Sequence, residues 1–140
     1  MINYSKIMYA FEGDKDISKY CDKNDKELEV EKLVLSIFKK LLEYEETGEC
    51  DFYDLSVDNE VVGYGFNYKN ILISFGVNKK FRNKENLKKV FEIIKGKFNS
   101  DFETYMWERN ERAVNWLRKC GMTEVESNID KVIKLKYICQ

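Results

Sequence analysis

A chain of 140 residues, 44% of them hydrophobic, can bury a sizeable core and is too apolar to remain disordered. Its 24 basic and 25 acidic side chains leave a net charge of -1, so no whole-surface field favours nucleic acid. The absence of histidine excludes Ser-His-Asp and Cys-His catalysis within the chain, and any general base must be Asp, Glu, Tyr, Lys, Cys or a water they hold.

The length suits a single domain over residues 1–140. No apolar run approaches the roughly 20 residues that span a bilayer, so no membrane partner is expected. The opening residues lack the small-residue cleavage site of a secretory signal. The expected address is therefore a cytoplasm, bacterial or of a phage-infected host, or a virion assembled in one. Cys21, Cys50, Cys120 and Cys139 are widely spaced, with no CxxC pair. They read as free thiols, and no metal site is expected.

In chain order, INYSKIMYAF fits either a strand or a short helix, and residues 1–23 stay unassigned. Residues 25–46 form the clearest helix: Val30, Leu33, Val34, Ile37, Phe38, Leu41 and Leu42 recur at helical spacing. Asn24 and Glu27 have capping-box spacing, and Thr47-Gly48 supplies the stop. Residues 52–57, 61–68 and 71–77 read as three strands joined by tight turns at Asp58-Asn59-Glu60 and Lys69-Asn70, an antiparallel meander. In the third, Ile71, Ile73, Phe75 and Val77 should share one face, with Leu72, Ser74 and Gly76 opposite.

Leu87, Val90, Phe91, Ile94 and Phe98 mark a second long helix whose outer face is rich in lysine. Residues 102–107 are a strand, and strand–helix–strand spacing suits a right-handed parallel crossover. Asn110 is placed to cap a third helix, with Ala113, Trp116, Leu117 and Cys120 on one face and Gly121 at its end. Residues 131–138 alternate Ile133, Leu135 and Tyr137 with Lys134 and Lys136, a final strand. The class is α+β, a mixed sheet with helices on both faces.

The stretch ISFGVNKKFRNKENLKKVFEII runs from a strand through a basic loop into a helix, a common place to hold a phosphate. No glycine occupies the turn formed by Arg82, Asn83, Lys84, Glu85 and Asn86. The residues alone leave three readings open: a solvated surface turn, a phosphate site, or a contact patch for a partner.

The order of elements resembles the GNAT superfamily of N-acetyltransferases over about residues 25–138, and most strongly over 71–125. In that family an Arg/Gln-x-x-Gly-x-Gly/Ala loop holds the acetyl-CoA pyrophosphate. Arg82 matches its first position, while Glu85 and Leu87 stand where the small residues belong. Asn110, Ala113, Lys119, Gly121 and Met122 match the downstream Asn-x-x-Ala…Lys-x-Gly-Phe segment. The family's general-acid tyrosine aligns with Leu117. The segment NWLRKCGM is similar to GNAT-like proteins of bacteriophages, some of which resemble internal virion proteins.

The resemblance implies a cofactor slot between splayed strands, lined by backbone at Phe75, Gly76 and Val77, with Gly76 permitting a bulge. Arg82, Asn83, Lys84, Lys88 and Asn110 would lie near the cofactor. Tyr105 and Glu108, after the parallel strand, are the candidates to donate or accept a proton. The side chains of Glu85 and Leu87 are expected to obstruct the diphosphate pocket, and Glu85 to repel it. The favoured expectation is a non-catalytic binding or assembly module with a degenerate loop, no cofactor and a protein partner. An acetyl-CoA-dependent N-acyltransferase acting on an amine is the alternative.

Overall fold

Two helices, a three-stranded meander and a βαβ crossover follow one another in a computed structural model that describes residues 1–15, 17–20 and 29–139. The elements are α1 (Tyr4–Phe11), α2 (Val30–Thr47), β1 (Cys50–Val57), β2 (Glu60–Tyr68), β3 (Ile71–Val77), α3 (Lys84–Phe98), β4 (Phe102–Trp107), α4 (Glu111–Lys119), β5 (Thr123–Val125) and β6 (Val132–Tyr137). Two short 3₁₀ turns, Ser18–Tyr20 and Lys79–Phe81, punctuate the chain. The strands form one mixed sheet in the order β1-β2-β3-β4-β6-β5, antiparallel except for β3 against β4. Among the described residues no helix is long and apolar enough to cross a membrane.

Local chemistry accounts for most boundaries. The residues before α1 are closed by Asn3, whose side chain accepts from the Lys6 N–H, so the ambiguous first segment is a helix. α2 starts at Val30, later than the periodicity suggests, because Glu29 is still extended (φ -94, ψ 150). The expected capping box at Asn24 and Glu27 lies outside the described residues. Leu42, expected on the buried stripe of α2, faces outward instead. Asp58 and Asn59 take φ of 52° and 68°, the left-handed pair that a two-residue hairpin turn requires. Asn99 closes α3 in the left-handed region. The three-residue β5 has too short a pattern to read from sequence, and it exists because β6 offers it a partner edge.

Two bulges decide which side chains face which helices. In the β1–β2 ladder Leu55 opposes Gly63 and Ser56 opposes Val61, so Val62 is the extra residue. Val62 joins Leu55 and Val57 in the core under α3 and α4, while Tyr64 and Phe66 enter the core under α1 and α2. In β3, Phe66 opposes Ser74 and Asn67 opposes Leu72, leaving Ile73 as the extra residue. This overturns the simple alternation expected for β3. Leu72, Phe75 and Val77 face the α3–α4 side, while Ile73 packs with the α1–α2 core and the Ser74 hydroxyl lies 2.7 Å from that of Tyr64. The bulge falls at Ile73, not at Gly76.

β3 and β4 touch only at their start. Ile71 pairs with Glu103 and Leu72 with Thr104, and the buried Thr104 hydroxyl donates to the Leu72 carbonyl at 2.8 Å. Beyond that point the two strands are not paired, and the sheet opens into a fork.

Candidate binding cleft

The fork holds a cavity of about 370 Å³, a size typical of small-ligand sites. Its floor is β3 from Ile73 to Val77 and β4 from Thr104 to Trp107. Phe11, Tyr20, Ile37 and Leu41 close it from the α1–α2 side, and Leu87, Asn110, Ala113 and Trp116 from the α3–α4 side. Both tryptophans of the chain, Trp107 and Trp116, line it. Phe75 stands against Trp116, ring centroids 5.6 Å apart.

Gly76 faces α1. A side chain added there would place its Cβ 2.9 Å from the Ala10 Cβ and 3.2 Å from the Tyr64 ring, so a glycine is what lets α1 rest directly on β3. That contact brings the turn after α1 beside the basic loop. Arg82 then reaches back: its Nη1 and Nη2 donate to the two carboxylate oxygens of Asp14, each at 2.7 Å, and its Nε donates to the Val77 carbonyl at 2.7 Å. A further bond runs to the Ala10 carbonyl at 3.4 Å. The Asp14 side chain is 5% exposed and that of Arg82 23%, so this bidentate pair is largely withdrawn from water. Burial opposes the guanidinium charge, but Asp14 and Tyr20 hold the Arg82 pKa above its ordinary value. The Tyr20 hydroxyl donates to the same carboxylate at 3.3 Å. Burial pushes Tyr20 up to about 12, with Asp14 adding to the rise and Arg82 opposing it. It is a firmly protonated phenol at neutral pH.

The loop spends its backbone donors on itself. The Arg82 N–H bonds to the Lys79 carbonyl, Asn83 to Phe81 and Leu87 to Asn83, while Asn86 N–H is taken by the Asn83 side chain at 2.8 Å. Lys84 and Glu85 are the remaining backbone donors of this stretch. Glu85 is not on the cavity lining. Its side chain is 80% exposed, turned outward, with its carboxylate 3.7 Å from Lys89. Leu87 does line the cavity.

Of the residues singled out from sequence, Phe75, Gly76, Val77, Arg82, Tyr105 and Asn110 meet at the cavity. Asn83, Lys84, Lys88 and Glu108 are not on its lining; Asn83 serves as the cap of α3. Asn110 makes no side-chain cap bond to α4 and is buried at the cavity wall. Leu117 is wholly buried in the core. Sequence reasoning missed Asp14, Tyr20, Lys19 and Lys40, because nothing local tells that the N-terminal segment and α2 close over the fork, and Arg112, because nothing in the pattern of α4 tells that it reaches the cavity.

No protein-family profile matches the chain and no curated protein matches it. Solved structures do. A Pyrococcus horikoshii protein aligns over 100% of this chain and 94% of its own, with a TM-score of 0.64 at 18% identity. The PaiA N-acetyltransferase of Thermoplasma acidophilum, crystallised with coenzyme A, aligns over 97% and 90%, with a TM-score of 0.63 at 15% identity. An acetyltransferase of Thermus thermophilus aligns over 76% and 75%, with a TM-score of 0.62 at 11% identity. The chain has the GNAT fold. Its mixed sheet and parallel β3–β4 contact correspond to that fold.

A coenzyme A molecule such as that in the PaiA structure would meet different surroundings at its two ends here. The open fork beside Phe75, Gly76 and Val77 has room for an extended chain. The diphosphate end would meet a loop whose arginine is bonded to Asp14 and in which the Lys84 and Glu85 N–H groups remain.

Proposed function

We propose that this protein is a binding or assembly module on a GNAT fold and does not transfer acyl groups. One observation carries the reading: among the described residues, every titratable side chain on the cavity wall is a cation or a phenol. Lys19, Lys40, Arg82 and Arg112 are positive, and Tyr20 and Tyr105 are the phenols. Transfer to an amine requires a group that takes the ammonium proton and one that protonates the departing thiolate. No carboxylate stands ready for the first task, and the cations disfavour an ammonium acceptor. Tyr20 holds its proton too tightly to be a good acid. Leu117 lies where the resemblance would put an acid.

The likeness of NWLRKCGM to GNAT-like bacteriophage proteins extends the proposal to a phage-encoded, virion-associated protein with a protein partner. The test is release of coenzyme A from acetyl-CoA, followed with a thiol reagent across a panel of amines. The expected rate equals the enzyme-free background. A rate above background that Tyr105→Phe abolishes would overturn the reading.

The open fork favours a second reading, an acetyl-CoA-dependent N-acyltransferase with Tyr105 as the acid. On that reading acetyl-CoA at 100 times its dissociation constant would stabilise the fold by about 2.7 kcal/mol. We expect no shift of the thermal midpoint at millimolar acetyl-CoA.

A further inference from the structure

The α1–α2 side of the cleft has its own chemistry. Phe11, Tyr20, Ile37 and Ile73 give it an apolar surface. Lys19 lines the same side, its ammonium 5.1 Å from the centroid of the Tyr20 ring, and Lys40 of α2 lines it as well. Arg112 of α4 faces the cavity from across the fork. The buried carboxylate nearby, Asp14, is engaged by Arg82 through two bonds and does not line the cavity. Among the described residues the wall therefore has positive charge beyond what Asp14 offsets, set beside an aromatic and aliphatic surface.

We infer that this side of the cleft binds a small organic carboxylate with an apolar body, its charge directed to Lys19 and Lys40. The inference rests on the reading that the cleft binds without transferring, and it names the ligand class. An apolar body removes the exposed surface of Tyr20, Ile37 and Ile73 from water. Two lysines on flexible stems meet a carboxylate as point charges, without a fixed bidentate geometry. A cationic ligand of the same shape meets repulsion from the same groups.

The test compares three probes of equal shape: 4-phenylbutyrate, its neutral amide and 4-phenylbutylamine. Both tryptophans line the cavity, so their fluorescence reports occupancy directly. The expected result is saturable quenching by the carboxylate at millimolar concentration or below. The amide should bind about tenfold more weakly, the equivalent of about 1.4 kcal/mol, and the amine more weakly still. Lys19→Glu with Lys40→Glu should reverse the order of carboxylate and amine, with far-UV circular dichroism confirming that the variant is folded. Lys40→Gln alone, at an exposed position of α2, should weaken the carboxylate and leave the amide unchanged.

Equal or tighter binding of the amine by the unaltered protein would overturn the inference. So would a carboxylate affinity indifferent to the charge reversal, or the absence of quenching by any probe. Release of coenzyme A in the transfer assay would overturn the non-transferring reading while leaving the quenching order intact, so the two failures are distinct.

Discussion

On the loop wall of the cleft, Arg82 crosses to the turn after α1 and gives its guanidinium to Asp14, Val77 and Ala10. On the α2 wall, Lys40 stands at the cavity with its side chain exposed. Both positions are cationic and both line the same space. The first charge is built into the scaffold, because a nearly buried carboxylate must have a partner. The second is offered to solvent, and among the described residues no carboxylate pairs with it. A basic residue at a cleft is therefore available for binding only in proportion to how little of it the fold has already used.

Asp14→Ala is the hardest test of that contrast. It leaves a half-buried guanidinium without its carboxylate, and should lower stability by about 3 kcal/mol, near 10 °C in thermal midpoint. A midpoint unchanged within 2 °C would mean that the pair is not structural. Gly76→Ala comes next. Its Cβ would press on Ala10 and Tyr64, forcing α1 away from β3, at a cost of about 1–3 kcal/mol by denaturant unfolding. Because α1 carries the turn that delivers Asp14, faster amide exchange in residues 4–14 should accompany that loss.

Tyr20→Phe should have a smaller effect at neutral pH, about 0.5–1 kcal/mol, for a single long bond to Asp14. Its sharper signature is alkaline. The folded state holds the Tyr20 proton more tightly than the unfolded chain does, with a pKa pushed up to about 12 from 10. That contribution is complete below pH 10 and is lost as pH rises from about 10 through about 12. Burial also raises Tyr53 and Tyr64, so the variant should retain part of the alkaline loss. Melting curves from pH 8 to 12 distinguish the cases. Lys40→Ala, at the far end of the scale, should change stability by less than about 0.5 kcal/mol. A large loss there would show that the α2 wall is built into the scaffold in the same way as the loop wall.

The regular elements were legible wherever a residue pattern is local. β3 and β4 fall on the residues that alternation and turn chemistry assign, Ile71–Val77 and Phe102–Trp107. The stripe of Val90, Phe91 and Ile94 announces α3, and all three are buried. The failures have one kind of cause. Val62 and Ile73 break the period of two because a bulge inserts an unpaired residue, and nothing in either residue marks it. Leu42 continues the helical spacing of α2 yet faces outward, because burial depends on what the helix meets.

The sequence by itself determined the α+β class, the order of most elements, the absence of histidine chemistry and the absence of glycine from the basic loop. Those follow from hydrophobic period, turn residues and composition, which act within a few residues of one another. Only the tertiary structure decided that Asp14 takes Arg82, that α1 and α2 supply one side of the cleft, and that among the described residues the charge left on its walls is positive. Asp14 and Arg82 are 68 residues apart, and Lys19, Lys40 and Arg112 share no local pattern. Their meeting depends on a glycine that lets one helix lie on one strand, and on two strands that pair at their start and then part.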